Sequence, residues 1–163
     1  MDFRVGLGND IHKLAEAKEL VVGGIKIPYH KGCVAHSDGD VLIHAICDAL
    51  LGAIACKDIG NHFPDTDAAF KNIESSVLLR KVNEIIKENK FSINNIDSTV
   101  VLEKPKLSPY IDSIRKNLAD ILEIDVSKVS VKAKTNEGLG DIGRNEAIAA
   151  YCIVSLGKSV VSE

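Results

Sequence analysis

Asp10-Ile-His12 places a carboxylate and an imidazole two residues apart. In an extended segment such residues point to the same side, and one hard oxygen beside one imidazole nitrogen suits Zn²⁺ or a similar divalent ion. Alone, the pair also reads as a surface ion pair at the end of a strand. A second group lies downstream: His36-Ser-Asp-Gly-Asp40 leads into a segment carrying His44 and Asp48. Asp40, His44 and Asp48 fall at i, i+4 and i+8, a single stripe if that segment is helical. His44 sits among Leu42, Ile43, Ala45 and Ile46, where it reads equally as a core histidine. Two His and one Asp with a fourth position open make a catalytic rather than a structural zinc shell. Asp48, one turn beyond His44, is placed to orient the ligand imidazole from behind.

Two further features concern phosphate. His36 and Ser37 stand at the expected start of a helix, where free N–H groups and the helix dipole attract anions; the plain alternative is an ordinary cap. The segments Glu103-Lys-Pro-Lys-Leu-Ser-Pro109 and Val131-Lys-Ala-Lys-Thr-Asn-Glu137 each follow an expected strand and bring Lys104, Lys106, Lys132 and Lys134 to one end of a sheet. Such a rim suits a diphosphate, with Glu137 available to a hard cation such as Mg²⁺; solvated loop lysines are the bland reading. Gly6-Leu-Gly8 lacks the third glycine of a dinucleotide fingerprint, and no GxxxxGK[ST] occurs.

The elements that must position these groups follow from periodicity. Phe3 to Ile11 reads as a strand in which Gly6 and Gly8 permit a close backbone approach. Glu19 to Tyr29 reads as a hairpin around Gly23-Gly24. A helix is expected from Ser37, capped by that hydroxyl, to about Ala55, followed by a long polar loop over residues 57–74. A second helix starts near Ser75, with Leu78, Val82, Ile85 and Ile86 on one face. Ile93 to Leu102 is a strand, and Ser108-Pro109 opens a helix with Ile111, Ile114, Leu118 and Ile121 inward. Val129 to Thr135 and Ala147 to Leu156 are strands separated by a glycine-rich turn. The expected fold is a two-layer α/β (α+β) domain over residues 1–163, a mixed four-stranded sheet with helices on one face. Its last strand is apolar on nearly every residue, which calls for cover on both faces and therefore a second chain.

Composition bounds the function. Twenty Lys and Arg against 23 Asp and Glu leave a net charge of −3, with no basic excess for a polyphosphate backbone. Aromatic residues are 4%, with no Trp, which excludes a base-stacking platform. Cys33, Cys47, Cys56 and Cys152 form no CxxC pair and read as reduced thiols. The N-terminal residues lack a signal-peptide pattern and no apolar run is long enough to span a bilayer, so a cytoplasmic protein is expected.

Taken together, the segments resemble the 2-C-methyl-D-erythritol 2,4-cyclodiphosphate synthases of the non-mevalonate isoprenoid pathway. The resemblance runs from Gly6-Leu-Gly-Asn-Asp-Ile-His12 to Gly143-Arg-Asn-Glu-Ala147. Its most specific stretch is Ala35-His-Ser-Asp-Gly-Asp-Val-Leu-Ile-His44 with Asp48-Ala-Leu-Leu-Gly52; Phe63-Pro-Asp-Thr-Asp67, Lys104-Pro-Lys106 and Thr135-Asn-Glu-Gly-Leu-Gly140 also match. The resemblance implies Zn²⁺ on Asp10, His12 and His44, and Mg²⁺ or Mn²⁺ on Glu137. It implies His36 and Thr135 as the pair that stabilises the transition state. The methylerythritol part of the substrate would lie against Asp58, Ile59, Gly60, Phe63, Pro64, Asp65, Thr66 and Asp67, with Ser37 near the phosphates. The cytidine would lie against Leu102, Glu103, Lys104, Pro105, Lys106, Leu107, Ser108, Lys134 and Asn136 of a neighbouring chain. A homotrimer with active sites between subunits is implied, and an isoprenoid diphosphate near Arg144 and Glu146 at its centre. Two positions depart from the family pattern: Lys134 replaces a usual Thr, adding charge to the phosphate rim. Asp141 replaces a common aromatic and works against capture of an apolar or anionic ligand at the centre. The alternative chemistry for the same metal shell is a zinc-dependent phosphoester hydrolase.

Overall fold

Gly6 and Gly8 leave one side of the first strand bare of side chains, and a helix lies directly on it. The computed structural model describes residues 3–64 and 66–158. In chain order the elements are β1 (Phe3–Glu16), β2 (Leu20–Val22), β3 (Ile25–Ile27), β4 (Lys31–Val34), α1 (Val41–Ala53), α2 (Ile59–His62) and α3 (Ser75–Glu88). They continue with β5 (Phe91–Val101), α4 (Ile111–Leu122), β6 (Val129–Lys134), α5 (Gly140–Gly143) and β7 (Ala147–Lys158). The main sheet has the order β4-β1-β7-β5-β6, and β2 and β3 pair as a separate hairpin. Only the β5–β6 pair is parallel. The mixed α/β class is as expected, with five strands rather than four. The extra edge strand is four residues long, too short to show an alternation; it forms because β1 continues to Glu16 and offers Lys13–Glu16 as partners.

The helices α1, α3 and α4 cover one face of this sheet. Ile148, Ala150, Cys152, Val154 and Leu156 of β7 are buried beneath them, as are Ile96 and Val100 of β5 and Val129 and Val131 of β6. The other face is open in the single chain: Phe3, Val5, Leu7 and Ile11 of β1 and Tyr151 and Ile153 of β7 are exposed, Leu7 by 68%. On the outer side of β7 Ala147 and Ala149 are buried, and the uncovered part begins at Tyr151.

Helix α1 is the buried centre. A Cβ added at Gly6 would stand 1.8 Å from the Ala49 carbonyl oxygen, and one at Gly8 would stand 1.9 Å from that of Ala45. No other residue type allows this separation. Leu42, Ile43, Ile46, Leu50 and Leu51 of α1 are fully buried, each contributing about 1.5–3 kcal/mol.

The start of α1 differs from expectation. Gly39 has φ +74°, which stops a right-handed helix from beginning at Ser37. Asp40 is the cap: its carboxylate accepts from Ile43 N at 3.0 Å and reaches the hairpin turn, accepting from Gly23 N at 3.0 Å and Gly24 N at 2.6 Å. Both turn glycines have positive φ, 59° and 75°, as a two-residue hairpin loop of this kind requires. Ser108 is likewise not a cap: a 3-10 turn at Ser108–Tyr110 precedes α4, which starts without a side-chain cap.

Asp40 is fully buried, and burial pushes its carboxyl up to about 6 against the lowering effect of the three backbone N–H donors. Its folded value lies above its ordinary 3.8, so between roughly pH 4 and 6 the native chain holds a proton that the unfolded chain has lost. The stability this contributes is present below that window and lost as pH rises through it. Urea titrations of the parent and Asp40→Asn at pH 4, 5, 6 and 7 test the sign: the parent's advantage over the variant shrinks with rising pH. An advantage that stays constant or grows contradicts it.

Candidate active site

The approach of α1 to β1 assembles a cluster of three metal-type donors. Asp10 and His12 alternate onto the helix side of β1, and His44 precedes Ala45, the residue whose carbonyl meets Gly8. His44 Nδ1 is 2.9 Å from Asp10 Oδ2, His12 Nε2 is 3.1 Å from the same oxygen, and the two nitrogens are 3.1 Å apart. Ligand atoms around a tetrahedral ion with 2.0–2.1 Å bonds stand roughly 3.3 Å from one another. The donor set, one carboxylate oxygen and two imidazole nitrogens, and its spacing therefore fit a divalent ion such as zinc.

Charge is set up to match. Burial pushes the Asp10 carboxyl up, but hydrogen bonds and charge from His12 and His44 outweigh it and hold it well below the usual range. Burial pulls His44 down, and the hydrogen bond and charge of Asp10 overcome this and raise it. On its far side, His44 Nε2 stands 2.9 Å from Ser75 Oγ and 3.1 Å from Ser37 Oγ. Ser37, expected near the phosphates, accepts from Gly39 N at 3.2 Å and is turned toward this imidazole.

The cluster opens into a cavity of about 360 Å³ lined also by His36, Asp48, Ile59, Gly60, Phe63 and Phe70. Among the described residues His36 Nε2 is buried without a hydrogen-bond partner, an unmet polar group at the cavity wall. The stripe of Asp40, His44 and Asp48 is not one site. Asp40 turns to the hairpin, and Asp48 does not orient His44: its Oδ1 accepts from Ile59 N at 2.7 Å, which fixes the start of α2. Burial raises the Asp48 carboxyl, against the lowering effect of that N–H. The hydroxyls of Ser75 and Ser37 take the place behind His44. Ser75 escaped the sequence reading because it looks like any serine at a helix start.

In the loop, Asp58 caps α2, accepting from Asn61 N at 3.0 Å and Asn61 Nδ2 at 2.7 Å. Those bonds lower its carboxyl. Ile59, Gly60 and Phe63 face the cavity, whereas Pro64 and Thr66 do not line it. Asp67 accepts from Ala69 N at 2.9 Å, capping a short 3-10 turn; Asp65 lies outside the described residues. Phe63 and Phe70 meet edge to face, with Lys81 Nζ 5.5 Å from the Phe70 centroid.

Leu102, Glu103, Pro105, Lys106, Leu107, Ser108, Lys134 and Thr135, expected to contact the cytidine or phosphates, line a separate cleft of about 310 Å³. Parallel pairing sets Val101 beside Lys134, Leu102 N donates to Lys134 O at 2.9 Å, and Asn136 N donates to Glu103 Oε2 at 3.1 Å. Glu103 thus ties the two loops together. Leu102 and Leu107 are buried, and Lys104 is exposed outside the cleft. Thr135 Oγ1 donates to Glu137 Oε1 at 3.4 Å. This rim lies at the level of Ile11 but three strands away from β1, roughly 14 Å across the sheet. Within one chain, Thr135 and Glu137 do not join His36 and the metal donors. Arg144 is ion-paired with Asp141 and with Glu146 Oε2, the latter at 3.3 Å.

Comparison with known proteins follows the same residues. The model of the YgbB family matches residues 3–157. A 2-C-methyl-D-erythritol 2,4-cyclodiphosphate synthase of Alkaliphilus metalliredigens is 52% identical over 157 residues, 96% of this chain and 99% of that relative. Among solved structures, the bifunctional IspDF of Campylobacter jejuni superposes with a TM-score of 0.93 at 40% identity, over 96% of this chain and 42% of that one. IspF of Plasmodium falciparum, solved as a CDP complex, gives 0.85 at 38% identity over 96% and 97%.

Since Asp48 holds Ile59 rather than His44, Asp48→Asn is expected to keep zinc affinity within about threefold of the parent, a small change beside the ten- to hundredfold typical of residues that orient a ligand. Chelator competition measures it, and a loss of tenfold or more contradicts this placement.

Proposed function

The chain belongs to the YgbB family, and we propose on that premise that it is a 2-C-methyl-D-erythritol 2,4-cyclodiphosphate synthase. In this reading it converts 4-diphosphocytidyl-2-C-methyl-D-erythritol 2-phosphate to the 2,4-cyclodiphosphate and CMP, a step in isoprenoid precursor synthesis. The observation that carries the reading is the convergence of Asp10, His12 and His44 on one point in a cavity whose wall holds the unpartnered His36. A Zn²⁺ ion on those three donors, with Mg²⁺ or Mn²⁺ on Glu137, would neutralise phosphate charge and polarise the phosphoryl oxygens.

The chain's own residues have a limited but definite task. A phosphate monoester is already an anion near pH 7, so no side-chain base is needed to make the nucleophile. One oxygen of the 2-phosphate bonds to the β-phosphorus, and the bridging P–O bond breaks. CMP departs with the bridging oxygen and its electron pair. His36 Nε2 and the Thr135 hydroxyl stabilise the charge that develops, while Ile59, Gly60 and Phe63 hold the methylerythritol against the cavity wall. Alignment of a flexible substrate supplies several kcal/mol of the barrier in favourable intramolecular cases. The cytidine rests in the Leu102–Ser108 and Lys134–Asn136 cleft of a neighbouring chain.

That division requires an oligomer, and a homotrimer is the state proposed. Its support is the bare apolar face of β1 and β7 together with the separation of rim and metal donors in one chain. Among the described residues no helix is long and apolar enough to cross a membrane, and the site of action proposed is the cytoplasm. An anionic isoprenoid diphosphate at the centre would have to displace Asp141 and Glu146 from Arg144. The hydrolase alternative needs a base beside the metal donors, and the further carboxylate that lines the cavity, Asp48, is engaged by Ile59 N.

Incubation with the cytidylated methylerythritol 2-phosphate tests the reading. CMP and a cyclic diphosphate are expected in equal amounts; a linear hydrolysis product would favour the hydrolase instead. His44→Ala is expected to lose stoichiometric zinc and to lower CMP release by about a hundredfold or more. Full turnover by metal-free His44→Ala protein would overturn the assignment.

A further inference from the structure

Behind the metal donors lies a chain of hydrogen bonds whose direction is set by a carboxylate. The Ser75 hydroxyl donates to Asp38 Oδ1 in a short bond. Asp38 Oδ1 also accepts from Asp40 N at 3.1 Å, and Oδ2 accepts from Ser75 N at 2.9 Å. The carboxylate is therefore surrounded by donors and supplies no hydrogen itself. Ser75 is fully buried, so with its hydroxyl hydrogen committed to Asp38 only its oxygen lone pairs remain to face His44 Nε2 at 2.9 Å. An oxygen in that state can only accept. The Nε2 position of His44 must then carry a hydrogen, so the neutral imidazole that can bind a cation has Nδ1 bare, and Nδ1 is the atom that meets Asp10 Oδ2 and His12 Nε2.

We propose that Asp38 and Ser75 are positioning residues for the metal-ligand imidazole: Asp38 orients the Ser75 hydroxyl, and Ser75 holds His44 as the Nε2–H tautomer with Nδ1 turned to the cation. The inference rests on the reading that Asp10, His12 and His44 hold a divalent ion, and it gives to Ser75 the orienting role that helical spacing suggests for Asp48. It also accounts for the local fold. Asp38 N donates to Ile73 O at 3.1 Å and Asn72 N donates to His36 O at 2.9 Å, so the segment before α1 is stitched to the segment entering α3. The same stitching that brings Ser75 to His44 fixes the backbone of His36. Ser37 Oγ also reaches Nε2, at 3.1 Å, while accepting from Gly39 N; among the described residues no carboxylate is bonded to it, so its hydroxyl is free to turn and accept from Nε2–H beside Ser75.

The test is zinc affinity, measured by chelator competition on the full chain with zinc alone. Ser75→Ala is expected to weaken zinc binding by about ten- to a hundredfold, the usual loss when a ligand imidazole is left without its hydrogen-bond partner. The melting temperature of the metal-free protein should stay within a few degrees of the parent. Asp38→Asn should weaken binding as well, and combining it with Ser75→Ala should add little, because both remove one relay. Affinity within threefold of the parent in Ser75→Ala, or fully additive losses in the double variant, overturns the proposal. If Ser75→Ala also melts early, Ser75→Thr decides: affinity recovered with the hydroxyl upholds the relay, and affinity as weak as that of Ser75→Ala refutes it. Stoichiometric zinc in His44→Ala would instead remove the metal reading beneath it, a result separable from all of these.

Discussion

The distance between α1 and β1 governs the rest of this molecule. Gly6 and Gly8 let two backbones meet where any Cβ would strike the Ala49 or Ala45 carbonyl. That contact lays the most apolar helix of the chain on the centre of the sheet, and it carries His44 to Asp10 and His12 in the same movement. Packing and chemistry therefore share one constraint. A metal site built across a strand and a helix needs their spacing held to fractions of an ångström, and close-packed backbone holds it better than side chains that can change rotamer.

Around that contact the polar groups are divided by depth. Asp40 is wholly buried and serves structure, gathering three backbone N–H groups at the helix start and the hairpin turn. Asp10, one layer out, stands 2.9 Å and 3.1 Å from nitrogens of two imidazoles and borders the cavity. Asp58 and Asp67, further out, cap short turns of the loop that forms the cavity wall. The acidic groups are thus of three kinds, separated by what each accepts. Lys106 and Lys134 line a separate cleft at the parallel ends of β5 and β6, and the apolar outer side chains of β1 and of the second half of β7 are exposed. The uncovered sheet face and the separation of the Lys134 cleft from the metal-type donors are the two features on which the proposed oligomer rests.

How far the residues alone disclose this depends on the range of the interaction. Asp10 and His12 were legible because alternation along a strand is local, and the hairpin at Gly23-Gly24 was legible because turn chemistry is local. The close approach at Gly6 and Gly8 could be expected as a type of contact, though not its partner. The start of α1 was misplaced by a few residues, because Ser37 is a good cap by type while Gly39 takes a left-handed backbone that no propensity reveals. Asp48 was assigned to His44 by helical spacing, yet a loop residue eleven positions on, Ile59, claims it. Ser75 and Asp38 were passed over for a related reason. Their significance comes from contacts thirty-one and thirty-seven residues away, and periodicity carries no signal at that range. The edge strand at Lys31–Val34 escaped notice because it is stabilised by its partner rather than by any pattern of its own.

The central claim is that metal donors from one chain and a phosphate-binding rim from another complete each site. Mixing two inactive variants tests it directly: His44→Ala, which keeps the rim, and Thr135→Ala, which keeps the metal donors. After subunit exchange at equal amounts, a site drawing its halves from two chains is intact in roughly a quarter of cases, so CMP release should recover to about that fraction of the parent. No recovery, despite exchange verified by mass, would contradict the account.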